Sequence, residues 1–227
     1  VSLVGAIGTS VVGGTTLPTV TGLGLGAVSY QNVKLVEIDL GFSPDQFTFN
    51  DSGSTIPIVL NEGGGDDQTT VNALSSTTTV NGGSGNDTVI AEIPGDPSLS
   101  SFSRLQLNVD NLIVDNSSYA SPVNWVYTTP NLIVGSTTIV NTTGASNVNL
   151  LGGTAGGNKL TINSLANSAQ QLNIARSNIR LLAGANVLSP NASTPFVPGY
   201  QYGGGLGAVE SLGTGSATKT RTNAGFP

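Results

Sequence analysis

The chain makes one kind of turn three times, and the spacing of those turns limits what it can fold into. Asn81-Gly82-Gly83-Ser84-Gly85-Asn86-Asp87-Thr88-Val89-Ile90 reads as a glycine-rich turn that delivers an acidic residue and then a strand. A looser copy, Asn61-Glu62-Gly63-Gly64-Gly65-Asp66-Asp67-Gln68-Thr69, lies upstream, and a weaker one, Leu40-Gly41-Phe42-Ser43-Pro44-Asp45-Gln46-Phe47-Thr48-Phe49, lies before that. Aligning Asp45, Asp67 and Asp87 gives a spacing of about 20 residues, the range in which repeats signal stacked architectures. A unit this short cannot bury its own apolar face. Stacking supplies the missing neighbour and leaves a core column of Val, Ile and Leu.

The segments between the turns carry strand patterns. Val33 to Leu40 and Gln46 to Phe49 alternate with a period of two, as a half-buried strand does. Ile56 to Leu60, Gln68 to Leu74, Thr77 to Val80 and Thr88 to Ile93 follow before Pro94-Gly95-Asp96-Pro97 forces a break. Asn111-Leu112-Ile113-Val114 recurs as Asn131-Leu132-Ile133-Val134, again about 20 residues on. Short strands are expected at 137–140, 147–151, 159–162, 172–174 and 179–182, and residues 166–180 suit either a short helix or strands. Gly152-Gly153-Thr154-Ala155-Gly156-Gly157-Asn158-Lys159-Leu160 looks like a degenerate copy of the Gly82 turn, with Asn158 and Lys159 where a carboxylate would sit.

The expected fold is all-β, a parallel β-solenoid with repeats of about 20 residues, with a β-sandwich as the competitor. Asn and Thr at equivalent repeat positions would stack into ladders. The expected organisation is a Gly/Val-rich N-terminal extension over 1–30, a body over 31–183 and a Gly/Ser/Thr-rich C-terminal extension over 184–227. Gly22 to Ser29 and Gly203 to Ser211 share the string Leu-Gly-Ala-Val, which low complexity explains as readily as matching roles at the two ends. Open ends of stacked repeats present unpaired strands that must be capped or joined to another copy.

Composition removes several kinds of chemistry. The chain lacks Cys and His, so thiol and imidazole catalysis, disulfides and His-ligated zinc are excluded. Charged residues are only 9% and the net charge is −6; twelve of the thirteen acids fall between Glu37 and Asp115. No basic face emerges, so nucleic acid is not an expected partner. No apolar run of about 20 residues exists, so no transmembrane segment is expected. A chain opening on Val1 reads as a processed product or a segment of something longer. Sequons at Asn50, Asn86, Asn116, Asn141 and Asn191 are what chance supplies in a chain this rich in Asn, Ser and Thr.

The Gly82–Ile90 stretch resembles the nonapeptide of the RTX family, Gly-Gly-x-Gly-x-Asp-x-apolar-x, and residues 37–93 look like the degenerate Gly-Asn-Asp-rich repeats of large bacterial surface proteins. The resemblance implies a calcium ion held by the Asp87 carboxylate and the carbonyls of Gly82, Gly83 and Gly85, with Asp67 facing it from the preceding repeat and Asp66 as a spare. An Asx-type turn built by Asn86 and Asp87 is the plainer reading. Tandem nonapeptides are absent, and the Asp45 copy has Phe42, Ser43 and Pro44 where glycines belong.

A non-enzymatic extracellular or cell-surface structural protein follows as the expectation: a subunit or segment of a fibre, sheath or layer whose partners are copies of itself, joined through their terminal segments. Two alternatives stand beside it. One is an adhesin or glycan-binding module using rows such as Thr77-Thr78-Thr79; the other is a polysaccharide-active enzyme using Asp66, Asp67 and Asp87. Trp125 and Tyr127 read as core or cap rather than as a sugar platform.

Overall fold

The computed structural model describes residues 1–24, 26–50, 53–99, 102–128, 130–154 and 158–164, and the later stretches 171–175, 178–181, 202–203, 209–212 and 219–222. Most of the C-terminal extension, Asn191 included, lies outside the described residues, as do Asp51 and Arg176. The chain is all-β with a curled, mixed thirteen-stranded sheet, and the described residues contain no α-helix.

The first strands are β1 (Val4–Val12), β2 (Thr15–Thr21) and β3 (Val28–Ser29). Gly13 and Gly14, at φ 57° and 83°, close a two-residue hairpin between β1 and β2, a conformation that glycine reaches without steric cost. Then come β4 (Val36–Asp39), β5 (Gln46–Phe49), β6 (Ile58–Asn61), β7 (Gln68–Val71), β8 (Thr78–Asn81), β9 (Thr88–Glu92) and β10 (Leu105–Asp115). Successive strands join two parallel ladders in turn. One ladder runs β4–β6–β8–β10, in register Ile38↔Leu60↔Val80↔Leu107. The other runs β1–β5–β7–β9–β10, in register Ile7↔Phe49↔Val71↔Ala91↔Val114. The N-terminal segment therefore supplies a strand to the second ladder.

The rest comprises β11 (Asn124–Thr128), β12 (Asn131–Val134), β13 (Thr137–Asn141), β14 (Ala145–Leu151), β15 (Lys159–Ser164), β16 (Gln171–Ala175), β17 (Asn178–Leu181), β18 (Tyr202–Gly203), β19 (Val209–Leu212) and β20 (Lys219–Thr222). The second ladder continues through β14, β16 and β18. A five-stranded sheet, β13–β12–β11–β15–β17, holds a second parallel run, β11–β15–β17. Of the stretch 166–180, suited on sequence to either a short helix or strands, the described residues belong to strands, Gln171–Ala175 and the start of Asn178–Leu181.

One repeat assignment is corrected. Asn111–Val114 does not stack on Asn131–Val134; Asn111 pairs with Asn147, and β12 lies antiparallel between β11 and β13. An antiparallel meander is inserted there, and the ladder resumes beyond it. The local string is the same because both segments are strands with the same buried face.

Alternation puts one face of each ladder inside. Phe47, Phe49, Leu60, Val71, Val80, Val89, Ala91, Leu112, Val114, Val148 and Leu150 are all buried. Full burial of a Val, Leu or Phe side chain stabilises by about 1.5–3 kcal/mol. Gly5 faces Phe47 across the register, and a Cβ there would collide with the Phe47 ring. Trp125 and Tyr127 are buried in the later sheet, in the core as expected. The expected amide ladders are present on the outer faces: Asn81 Nδ2 donates to Asn61 Oδ1 (2.8 Å), Asn72 to Asn50 (2.9 Å), and Asn147 to Asn111 (3.1 Å), which donates in turn to Asn86 (2.9 Å).

Candidate functional site

The acidic residues singled out by the sequence fall into one column along the second ladder. Leu3 N–H donates to Asp45 Oδ1 (2.6 Å), Asp45 N–H to Asp67 Oδ1 (2.7 Å), Asp67 N–H to Asp87 Oδ1 (3.2 Å) and Asp87 N–H to Asp110 Oδ2 (2.9 Å). Each carboxylate thus takes the backbone N–H of the equivalent residue one repeat earlier. Asp45, Asp67 and Asp87 are buried. A buried N–H without an acceptor costs about 1–3 kcal/mol, so the column answers a real deficit at the turn, where the ladder's own hydrogen bonds have not begun.

The glycines make room for this stacking. Gly63, Gly65, Gly83 and Gly85 have φ of 90°, 117°, 99° and 132°, a region that side chains rarely enter. They are also pressed against the preceding repeat: a Cβ on Gly83 would strike Gly63 O, and one on Gly85 would strike Gly65 O. Ser84 N–H donates to Gly63 O (3.0 Å) and Gly65 N–H to Ser84 O (2.9 Å), so the turns are laced together through their backbones. Gly82 is buried beneath the Asp87 carboxyl, whereas Gly83 and Gly85 lie on the outside. Asp66 is exposed and accepts Asn86 N–H (2.9 Å).

Three contributors were not singled out in the sequence as site residues. Asp110 ends the column. Glu62 is 1% exposed; its Oε1 accepts the hydroxyl of buried Thr69 (2.5 Å), and its Oε2 is buried without a partner. Burial pushes its carboxyl up from 4.5 to about 7; the Thr69 hydrogen bond opposes this, and the charges of Asp87, Asp67 and Asp45 add to it. Burial likewise raises Asp67 and Asp87 from the ordinary value of an aspartate, against the lowering effect of their backbone hydrogen bonds. The signal for Glu62 was Thr69 itself: it occupies the row shared by Phe47 and Val89, where alternation calls for an apolar side chain.

The third is Asn158. It is 1% exposed, its Oδ1 accepts Val123 N–H (2.9 Å), and its Nδ2 donates to Gly153 O (2.8 Å). Asn124 pairs with Lys159, so Val123 is the residue one ladder step before Asn158. The degenerate turn performs the same backbone capping with an amide.

As a cation site the column offers two buried carboxylate oxygens without partners, Asp67 Oδ2 and Glu62 Oε2. The other Asp67 oxygen is engaged with a backbone N–H. Among the described residues no group of three or more His, Cys, Asp or Glu gathers in a geometry that could hold a metal ion. A cleft of about 380 Å³ opens beside the column between Gly83, Asp87, Asp110 and Gly144.

No protein-family model matches the chain, and neither a curated protein nor a solved structure is significantly similar to it. Among the described residues no helix is long and apolar enough to cross a membrane.

Proposed function

We propose that the chain is a parallel β-solenoid with repeats of about 20 residues, serving as a non-enzymatic structural protein outside the cell: a segment of a surface fibre, sheath or layer that associates with copies of itself through its ends. One observation carries this reading. The acidic residues that would be the raw material for catalysis are spent on joining one repeat to the next, Asp45, Asp67 and Asp87 each capping a backbone N–H of a neighbouring repeat. The outward Asn pairs do the same work on the surface. An architecture of this kind gains by lengthening, since each added repeat covers an open edge.

The test is particle mass and shape in dilute neutral buffer, by light scattering and negative-stain imaging. Long particles support the reading; a compact monomer at every concentration overturns it.

Calcium belongs to the same reading through the RTX-like turn. Asp67 Oδ2 is one of the two buried oxygens available to it, with Asp87 and the carbonyls of Gly82, Gly83 and Gly85 as the further ligands the resemblance implies and Asp66 in reserve. The ion would neutralise a column whose members repel one another. Millimolar calcium at pH 8 is then expected to raise the melting temperature, and a chelator to lower it. Identical melting in both removes calcium and leaves the column as a set of caps.

A further inference from the structure

Among the described residues, the two ends of the ladders offer unpaired strand edges that match each other. At the N-terminal end the second ladder is closed off, because β2 lies antiparallel along the outer edge of β1. The first ladder is not closed: among the described residues β4 pairs with β6 alone. Val36 N–H donates to Pro57 O (3.0 Å) and Leu40 N–H to Asn61 O (2.8 Å). Alternation therefore turns the backbone groups of Leu35, Glu37 and Asp39 toward the vacant side. A groove of about 400 Å³ runs along that side, walled by Val20, Leu23 and Val28 opposite Leu35, Val36 and Ile38. Val28, Val33 and Leu35 around it are 52%, 43% and 48% exposed. The position is that of a missing strand: β1 pairs along β5, and among the described residues no strand pairs along the same side of β4.

At the other end, among the described residues, β17 pairs with β15 alone, in the register Leu160↔Ile179, Thr161↔Arg180 and Ile162↔Leu181. Its sequence alternates apolar, basic, apolar. The stretch Gln171–Leu181 carries Arg176 and Arg180 and no acid, whereas β4 carries Glu37 and Asp39, both exposed. Setting β17 parallel beside β4 with Arg180 opposite Glu37 puts Ile179 opposite Val36 and Leu181 opposite Ile38, apolar on apolar.

We propose that the vacant edge of β4 takes β17 of a second copy, by strand addition with an Arg180–Glu37 pair setting the register. The inference rests on the proposed self-association and names its surface. A head-to-tail contact between unlike surfaces leaves one β4 edge and one β17 edge free on each pair, so it adds further subunits, as an open chain or as a ring where the rotation closes, rather than stopping at a two-fold dimer. The two C-terminal strands fit less well: Val209–Leu212 would set Glu210 against Glu37 and Asp39, and Lys219–Thr222, though basic, would set Thr220 and Thr222 against Val36 and Ile38 where β17 offers Ile179 and Leu181.

The absence of native Cys makes the test clean. Full-length Glu37→Cys and Arg180→Cys chains are prepared separately, mixed and mildly oxidised. Disulfide-linked heterodimers well in excess of either homodimer are expected. Independently, Glu37→Arg and Arg180→Glu each reduce association about tenfold or more, and the two together restore it. Assembly that proceeds without the 37–180 link and ignores both reversals overturns this inference while leaving self-association standing. A monomer under all conditions overturns both. In a single chain carrying both Glu37→Cys and Arg180→Cys, a disulfide that closes within the monomer overturns the second-copy assignment.

Discussion

The turns at Asp67 and Asp87 and the turn at Asn158 solve one problem with different chemistry. In both, a side-chain oxygen receives the backbone N–H of the preceding ladder position, and in both the side chain is buried. The acidic turns use carboxylates whose ionisation burial opposes. The later turn uses an amide, which caps equally well and spends its second group on Gly153 O. Capping requires an oxygen and does not require a charge. The negative charge in the first half is therefore surplus to the fold and costs it stability, which makes it the feature that calls for a function.

The sharpest way to break this comparison is Asn158→Asp. The new carboxylate would lose the donor to Gly153 O and set one acceptor against another, so a loss of about 3–5 kcal/mol is expected in urea unfolding at pH 8. A near-wild-type midpoint would mean the two turns are interchangeable. Next in size is Glu62→Gln. The folded pKa of Glu62, about 7, lies above its ordinary 4.5, so the fold keeps a proton that the unfolded chain has released, and stability falls as pH rises through that window. The raised Asp67 and Asp87 act in the same direction. Replacing Glu62 by Gln is expected to gain up to about 3 kcal/mol at pH 8 and nothing near pH 4, as read from denaturation midpoints at the two pH values.

Asp87 separates oxygen from charge. Asp87→Ala strands the Asp67 N–H and costs about 2 kcal/mol, whereas Asp87→Asn stays within about 1 kcal/mol of wild type in the same assay. Equal losses in the two variants would show that the charge itself is needed, as it would be around a bound cation. Smallest is Asn72→Ala, which removes the exposed pair with Asn50 and shifts the midpoint by about 0.5 kcal/mol or less.

The sequence made the acidic turns legible because Gly and Asp have strong local preferences and the apolar alternation between them is regular. Strand β5 lies where alternation put it, and β6 and β9 overlap the runs expected at 56–60 and 88–93. The β1–β2 hairpin was missed although Gly13-Gly14 marks it, since Val, Thr and Gly on both sides carry no polar alternation. The meander was missed for a different reason: Asn131–Val134 falls at the repeat spacing, and pairing direction leaves no trace in a four-residue string. Glu62 looked like any surface residue beside a glycine turn; its burial depends on Thr69, seven residues on and across the ladder.

The ladder step from Asn111 to Asn147 spans 36 residues, yet the register resumes without a slip. Lengthening a loop from about 20 to 36 residues adds only roughly half a kcal/mol of closure entropy, so the scaffold scarcely notices what is placed between its strands. The same junction is therefore a natural graft point: a foreign peptide or small domain inserted at the Gly135 turn of the meander, where a side chain would meet only open space, would be displayed once per chain without disturbing the ladders on either side.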